Sequence, residues 1–349
     1  MTVPEPTGLH ERARALPKVL LHEHLDGGLR IATLFELLEA RGLAHPAQDP
    51  AGLAAWFDAR AHAGSLTEYL AGFALTVAAM GREDALERVA FEAAEDARED
   101  GCVLAEFRIA PMLFEAHGVA PEAAVEAMLA GLVRCTMPAG LILCAMRERR
   151  CGEGERVAAL AVRYHTRGVV GFDLAGPEWG HPSSDHAQAF AIARRGELPI
   201  TCHAGEADAA PRVLEAARLG AQRIGHGVRL ADAFGAPDGE RLLDEVRERG
   251  LHLELCPTSN VHTGAVESIA QHPIGALQRA GLSVSFNTDN RLMSRVSMTS
   301  EAAALVDEAG VTIAELRAMA EQAARHSFLP GHARRDALAA IRAEACTSP

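Results

Sequence analysis

Eight short apolar runs, several of them rich in β-branched residues, recur along the chain and predict eight buried β-strands. Continuous apolar runs are typical of parallel strands that are covered on the outside by helices. The runs are VLLHEH (19–24), VLAEFRIAP (103–111), LILCAMR (141–147), VVGFDLAG (169–176), LPITCHAGE (198–206), RIGHG (223–227), LHLELCPTS (251–259) and LSVSFNTDN (282–290).

Segments with helical spacing separate most of these runs. PRVLEAARLG (211–220) begins with proline and ends with glycine, and PEAAVEAMLAGLV (121–133) and GERLLDEVRERG (239–250) read similarly. The longer segment 25–100 has room for several helices. Eight strand–helix units predict an α/β fold, namely a (β/α)8 TIM barrel with extra helices between the first and second strands. No linker or repeat interrupts the chain, so we expect residues 1–349 to form a single domain.

Polar residues close five of the predicted strands. The carboxyl ends of barrel strands converge on the face where the chemistry of this fold takes place, so we expect these residues to share one pocket. They are His22, His24 and Asp26 after the first strand, Asp173 and Gly176 after the fourth, His203 and Glu206 after the fifth, His226 after the sixth, and Asp289 and Asn290 after the eighth.

The pair His22 and His24 indicates a metal site, because alternate residues of a strand point to the same face. An isolated His-X-His pair is weak evidence, since most histidines are solvated or hydrogen-bonded. Here His203 is placed to supply a third nitrogen ligand and Asp289 an oxygen ligand. Three histidines and one aspartate that leave room for water suit zinc better than iron or manganese.

The only lysine, Lys18, limits the number of metal ions. Many metal hydrolases with this fold bridge two ions with a carbamylated lysine at the end of the fourth strand, but here that strand ends in Asp173-Leu-Ala-Gly176. Lys18 lies at the opposite end of the first strand from His24. We therefore expect one Zn²⁺ per chain, whose bound water ionises near neutral pH.

Glu206 and His226 are candidate catalytic residues. A carboxylate three residues after His203 can transfer a proton beside a metal-bound water, although a glutamate in this position is more commonly an exposed loop residue. His226 lies between two glycines, which leave its imidazole uncrowded. It can serve as a base or electrostatic anchor for the hydroxide, or only as a buried histidine bonded to a carbonyl.

The composition argues against several partners. A formal net charge of −13 disfavours nucleic acid and anionic membrane surfaces, both of which favour Lys and Arg. The sequence has no apolar run typical of a signal peptide or a membrane span. Seven cysteines without a C-x-x-C pair predict reduced, mostly buried thiols and a cytoplasmic protein. The sequence leaves the oligomeric state open.

Six motifs resemble those of a known family. LHEHLDGG, GFDLAGPE, CHAGE, RIGHG, LCPTSN and NTDN occur in the order and approximate spacing of the adenosine deaminases, in the amidohydrolase superfamily. The resemblance extends from Pro17 to about Arg295, and the joint occurrence of six motifs makes it specific. It implies hydrolytic deamination of adenosine, and of 2′-deoxyadenosine, to inosine and ammonia by a zinc-bound hydroxide that attacks C6.

The resemblance also implies roles for individual residues. It makes Glu206 the proton donor to purine N1 and His226 the group that orients or deprotonates the zinc-bound water. It adds Asp289 to the catalytic residues and His24 to those that contact the substrate. The zinc ligands that it implies are His22, His24, His203 and Asp289.

For the substrate pocket, the resemblance implies that Asp26 holds the ribose 5′-hydroxyl and that the Gly176 backbone N–H bonds N3. An apolar lid over the base corresponds to Leu66, Tyr69, Leu70 and Phe73. By spacing alone these four residues are simply the buried face of a helix.

One position departs from the family pattern. The family commonly has a second aspartate after the zinc ligand, followed by proline, whereas residues 289–292 read Asp-Asn-Arg-Leu. That second carboxyl must be protonated to donate to purine N7. Asn290 carries N–H donors at any pH, so the contact with N7 can survive with a different pH dependence.

Other functions remain as alternatives. Deaminases of free adenine usually have glutamate where this chain has Asp26, and the shorter acid leaves space for a ribose. A modified adenosine such as aminodeoxyfutalosine is a second alternative. AMP is disfavoured because no basic cluster near Asp26 awaits a phosphate. From outside the enzymes, an inactive metal-dependent purine-binding protein is opposed by the intact Glu206 and His226.

Overall fold

The computed structural model describes residues 8–61 and 66–347, and within them eight parallel strands form a closed barrel. The strands pair in sequence order in two four-stranded sheets. Bridges between Phe172 and Ile200 and between Glu23 and Asp289 join the two sheets at both edges. The predicted (β/α)8 barrel is therefore confirmed. The strands are β1 (Lys18–His24), β2 (Cys102–Ile109), β3 (Ala139–Met146), β4 (Val169–Ala175), β5 (Thr201–Ala204), β6 (Arg223–His226), β7 (His252–Leu255) and β8 (Ser283–Phe286).

The described helices surround this barrel. Four of them, α2 to α5, lie between β1 and β2, as predicted for segment 25–100. The helices are α1 (Leu9–Ala15), α2 (Ile31–Arg41), α3 (Pro50–Ala61), α4 (Leu66–Ala79), α5 (Glu83–Glu99), α6 (Pro121–Leu132), α7 (Cys151–Tyr164), α8 (Ala187–Arg195), α9 (Pro211–Leu219), α10 (Gly239–Glu248), α11 (Pro257–His262), α12 (Ile274–Arg279), α13 (Arg291–Ser294), α14 (Met298–Asp307), α15 (Ile313–His326) and α16 (Gly331–Thr347). Short 3-10 turns follow several strands, and one of them is Leu25–Gly27.

The predicted strands 198–206, 251–259 and 282–290 are too long. β7 ends at Leu255 because Pro257 lacks an N–H for the ladder and begins α11 instead. β8 ends at Phe286, and the side chain of Asn287 then bonds the backbone of both neighbouring strands. Its Oδ1 accepts from the Leu21 N–H at 2.9 Å, and its Nδ2 donates to the Leu255 carbonyl at 3.3 Å.

The outer and inner faces of the barrel have different chemistry. Val19 and Leu21 of β1 belong to an apolar cluster with residues of α15 and α16. The interior is filled by branched apolar side chains in most barrels of this type, but here it contains buried charges that pair between strands. We call this set the charge cluster: Glu106, Arg108, Asp173, Arg223 and Glu254.

Two further expectations can be compared with the structure. Six cysteines among the described residues are free thiols, and five of them are buried, whereas Cys151 is exposed. This agrees with the prediction of reduced, mostly buried thiols. In the part of the chain that the structure describes, no helix combines the length and the apolar character needed to cross a membrane.

Candidate metal centre and active site

Three of the four predicted ligands lie on β1 and on the segment that follows β8. His22 and His24 extend from the same face of β1. The backbone beyond β8 is locked beside them, because the His24 N–H donates to the Asp289 carbonyl at 2.8 Å and the Asp289 N–H donates to the His22 carbonyl at 2.9 Å. Asp289 itself has a φ of +58°, a strained value for a residue with a side chain. Barrel closure thus brings Asp289 to the histidines.

These residues and His203 of β5 form what we call the ligand cluster. One ligand atom from each of the four residues lies within 4.8 Å of the others. Nε2 of His24 is 3.1 Å from Nε2 of His203. Oδ1 of Asp289 is 3.2 Å from Nε2 of His22 and 3.6 Å from Nε2 of His24. Such an arrangement of nitrogen and oxygen atoms suits a divalent cation.

Hydrogen bonds behind the ligand cluster decide which ring nitrogens can bind a metal. Nδ1 of His22 is 3.0 Å from Oε2 of Glu254, and Nδ1 of His203 is 3.1 Å from Oδ2 of Asp173. Ionised carboxylates only accept hydrogen bonds, so both Nδ1 atoms carry the proton and both Nε2 atoms present a lone pair to the centre. Nε2 of His22 is buried and has no hydrogen-bond partner in the part of the chain that the structure describes. The residues therefore fit a metal ion.

The charge cluster keeps those two carboxylates ionised. Burial opposes the ionisation of Glu254, but Arg223 and Arg108 outweigh it and hold its pKa well below the usual range. Burial likewise opposes the ionisation of Asp173, and the contact with His203 and the charge of Arg108 lower its pKa. Nδ1 of both histidines therefore faces a negative charge, which raises their basicity as metal ligands.

Lys18 is placed as the sequence predicts, away from the ligands. Its Nζ donates to the backbone carbonyls of Arg14, Leu16 and Asp100 at 2.9–3.0 Å, at the amino end of β1. It therefore makes no bridge between metal ions.

Glu206 and His226 border the ligand cluster. The His226 ring lies 4.9 Å from the His22 ring and 5.3 Å from the His203 ring, centroid to centroid. Its Nε2 is 3.6 Å from Oε2 of Glu206. Glycine is required at 225, because a Cβ there would lie 2.9 Å from Cε1 of His22. The backbone at His226 has a φ of +65°, another strained value at the site.

Glu178, in the GFDLAGPE motif, fixes the turn that carries Glu206. Its carboxylate accepts hydrogen bonds from four successive backbone N–H groups, those of residues 205–208, at 2.6–3.0 Å. Glu178 is buried, and the turn encloses its carboxylate as a backbone nest encloses an anion. The motifs of the sequence give Glu178 no role, although an acid just after a strand-ending Gly-Pro is a usable signal.

The predicted substrate residues lie on the same side of the barrel. Asp26 is buried in the turn Leu25–Gly27, and burial raises its pKa to about 7. The side chain of Asn290 packs against Gly27, where a Cβ would overlap its Oδ1. Neither Oδ1 of Asp26 nor Oδ1 of Asn290 has a hydrogen-bond partner among the described residues. Gly176 ends β4 with a φ of +92°.

The predicted lid coincides with α4, which contacts the turn Leu25–Gly27. Phe73 is half-buried against the main apolar core. The side chains of Leu66, Tyr69 and Leu70 lie outside the described residues, so their contact with a base stays a prediction.

Several residues around the site were not assigned from the sequence. Ser259 donates to Oδ2 of Asp289 at 2.6 Å, and Thr263 donates to Oε1 of Glu206 at 3.0 Å. The motif LCPTSN contained the first of them without revealing its role. The unassigned residues with such contacts are Arg108, Glu254, Ser259, Asn260, Thr263 and His272.

Comparison with known proteins agrees with this geometry. Residues 17–344 match the family model described as adenosine deaminase. The chain belongs to the adenosine deaminase family. It is 44% identical over 334 residues to an adenosine deaminase of Mycobacterium sp. (strain KMS), with 92% of each chain covered. It is also 44% identical to that of Mycolicibacterium gilvum (strain PYR-GCK), with 91% of this chain and 92% of the relative covered.

A solved structure with this family's fold supports the architecture. The adenine deaminase from Arthrobacter aurescens superposes with a TM-score of 0.87 at 24% identity, covering 96% of this chain and 100% of the other. At that identity the likeness concerns the fold, and it agrees with the closed barrel described above.

Proposed function

We propose that this protein hydrolyses the C6 amino group of adenosine to give inosine and ammonia, and that 2′-deoxyadenosine is also a substrate. The observation that carries the proposal is the meeting of the ligand cluster with Glu206 and His226, in a chain of the adenosine deaminase family. The names of relatives at 44% identity favour adenosine over adenine or a modified adenosine. Such an enzyme is a hydrolase that acts on the C–N bond of a cyclic amidine.

One zinc ion per chain is the metal that we propose for the ligand cluster. Imidazole nitrogen and carboxylate oxygen are ligands that zinc accepts, and four of them leave a position for water. When bound, zinc activates that water as a nucleophile near neutral pH. Glu254 and Asp173 would hold His22 and His203 in the ligating orientation.

Glu206 would transfer the proton that N1 of the purine needs. Protonation of N1 makes C6 more electrophilic, and Glu206 is anchored for this task by Thr263. Oε2 of Glu206 lies 3.6 Å from Nε2 of His226, and the Glu206 side chain is largely shielded from solvent, with 21% of it exposed. Donors fixed in this way stabilise the charge that develops during the addition step.

The remaining predicted residues would bind the nucleoside. Asp26 would accept from the ribose 5′-hydroxyl, because its buried Oδ1 has no partner among the described residues. The Gly176 N–H would bond N3, the Asn290 amide would donate to N7, and His24 would border the base. Phe73, with Leu66 and Tyr69 of the same helix, would cover the purine.

We also propose that the chain acts as a single domain in the cytoplasm. One family model spans residues 17–344, and the described cysteines that the structure places are free thiols.

A substrate panel tests the function. Deamination is followed by the fall in absorbance with adenosine, 2′-deoxyadenosine, adenine, a 5′-modified adenosine and 7-deazaadenosine. We expect the highest kcat/KM with adenosine, and a loss of roughly 1–3 kcal/mol in transition-state binding for the 7-deaza analogue, which lacks the N7 acceptor. Glu206→Gln is the matched control, and its kcat should fall by about 10²-fold or more. Faster turnover of adenine, or normal turnover by Glu206→Gln, would contradict the proposal.

A further inference from the structure

A chain of hydrogen bonds runs from the backbone to the ring of His226. The Ile274 N–H donates to Nδ1 of His272 at 3.2 Å. Nε2 of His272 is 3.2 Å from Oδ1 of Asn260, and Nδ2 of Asn260 is 3.1 Å from Nδ1 of His226. The three side chains come from different parts of the barrel mouth and are all buried. We call this series the relay.

The polarity of the relay is fixed at its backbone end. A backbone N–H can only donate, so Nδ1 of His272 must accept. Burial lowers the pKa of His272 to about 3, which keeps the ring neutral, and a neutral ring that accepts at Nδ1 carries its proton on Nε2. Oδ1 of Asn260 therefore accepts from His272, and Nδ2 of Asn260 donates to Nδ1 of His226.

A second contact agrees with this orientation of Asn260. Nδ2 of Asn260 is also 3.5 Å from Oε1 of Glu206, an oxygen that already accepts from Thr263. The reversed amide would set its own oxygen against that carboxylate oxygen. It would also require Nε2 of His272 to accept while Nδ1 faces the Ile274 N–H, which a neutral imidazole cannot do.

The relay determines the chemistry of His226 at the site. Because Nδ1 of His226 accepts, the proton of the ring lies on Nε2, the atom 3.6 Å from Oε2 of Glu206. A nitrogen that carries its proton has no lone pair with which to remove another. The resemblance left open whether His226 orients or deprotonates the attacking water, and the relay distinguishes these roles.

We propose that Asn260 and His272 are positioning residues that fix His226 as a hydrogen-bond donor to the oxygen that adds to purine C6, and not as the base. This inference rests on the proposed function. The O–H bond of the water then breaks with its proton passing to the Glu206 carboxylate, which delivers that proton to N1. His226 keeps its own proton throughout the addition and stabilises the negative charge on the oxygen.

The test measures the tautomer directly and separately from activity. Zinc-loaded protein labelled with ¹⁵N-histidine is examined by NMR, in a spectrum that correlates ring protons with the ring nitrogens two bonds away. The signals of His226 are identified because they are missing from the spectrum of His226→Gln. We expect His226 with a protonated Nε2 and a bare Nδ1. Because this readout needs no substrate, it remains decisive even if adenosine is not the substrate. A protonated Nδ1 in the unmodified protein would overturn the inference.

Two variants of His272 provide the matched comparison. In His272→Leu the Asn260 amide loses its fixed partner, so we expect His226 to populate both tautomers and kcat to fall about 10-fold, less than the 10²–10³-fold typical of removing a donor outright. KM and zinc content should stay unchanged. In His272→Gln an amide can still accept from the Ile274 N–H and donate to Asn260, so tautomer and kcat should be retained. Identical spectra and kcat in both variants would overturn the inference.

Asn260→Asp tests the relay in case His272→Leu does not fold. A carboxylate at this position has no donor for His226, so Nδ1 of His226 should become protonated in the same spectrum. A bare Nδ1 in Asn260→Asp would contradict the assigned polarity.

Discussion

Two buried polar clusters share the barrel interior, and they differ in how their charges are satisfied. In the charge cluster, each arginine contacts carboxylates at 2.6–2.9 Å: Arg108 pairs with Asp173 and Glu254, and Arg223 pairs with Glu106 and Glu254. In the ligand cluster, three nitrogens and an oxygen converge, and the buried Nε2 of His22 has no hydrogen-bond partner among the described residues. The charges of the first cluster are paired within the chain, whereas the second cluster needs a cation to complete it.

The difference indicates which groups maintain structure and which are left for function. Glu254 and Asp173 belong to the charge cluster but also bond the rings of His22 and His203. The paired charges therefore orient the unsatisfied ligands. Two of the five described non-glycine residues with positive φ lie here, Asp289 in the ligand cluster and His226 beside it, so the site includes strained backbone.

Removing a ligand should have the largest effect. We expect unmodified protein to contain about one metal ion per chain and His203→Ala to lose both metal and activity, because the variant removes one of the four ligand residues of the site. Elemental analysis of purified protein, together with the deamination assay, measures both. His332→Ala, at an exposed position of α16, is the control and should keep its metal. Two tightly bound ions in the unmodified protein would refute the mononuclear site.

Removing one partner from the charge cluster should affect both clusters. In Glu254→Gln, Arg108 and Arg223 lose a buried counter-charge, and the free energy of unfolding should fall by about 3–5 kcal/mol. Metal affinity should fall by about 10–100-fold, because His22 loses its carboxylate partner. Denaturant titration and competition with a chelator measure these changes.

The control for Glu254→Gln is Glu245→Gln, which removes exposed ion pairs with Arg218 and Arg249. Surface pairs contribute less than about 1 kcal/mol, so this variant should be nearly neutral in both measurements. Equal losses of unfolding free energy and of metal affinity in the two variants would contradict a larger contribution from the buried charge cluster than from exposed ion pairs.

A buried carboxyl without an arginine gives a smaller, pH-dependent effect. Glu301 of α14 accepts from the Thr258 N–H at 3.2 Å, and its Oε2 has no hydrogen-bond partner among the described residues. Burial raises the pKa of Glu301 to about 8. Between pH 4.5 and 8 the folded protein keeps a proton that the unfolded chain loses, so this group lowers stability as the pH rises.

Glu301→Gln removes this titration. The Tm of the variant should exceed that of the unmodified protein by an amount that grows from pH 5 to pH 8, and the corresponding change in unfolding free energy is roughly 3 kcal/mol. Thermal unfolding at several pH values measures the difference. A difference that is constant with pH would mean that Glu301 is already ionised in the folded protein.

The sequence by itself determined the order of the eight strands, the presence of extra helices between the first two strands, and the residues of the ligand cluster. Apolar periodicity and strand-end motifs such as VLLHEH are local signals, and the fold places the ends of parallel strands together without further information. The apolar pattern overestimates the lengths of β5, β7 and β8, because it does not show where ladder pairing stops, as it does before Pro257 at the start of α11.

Only the tertiary structure determined which side chains of the site are hydrogen-bonded to each other. Glu254 lies 232 residues from its partner His22, and Asn260 lies 34 residues from His226. Each of these side chains could have bonded water or a nearby backbone group, and a linear pattern cannot distinguish those choices. Closure of the barrel brings the partners within hydrogen-bonding distance, and the cost of burying an unpaired polar group then favours these contacts over none.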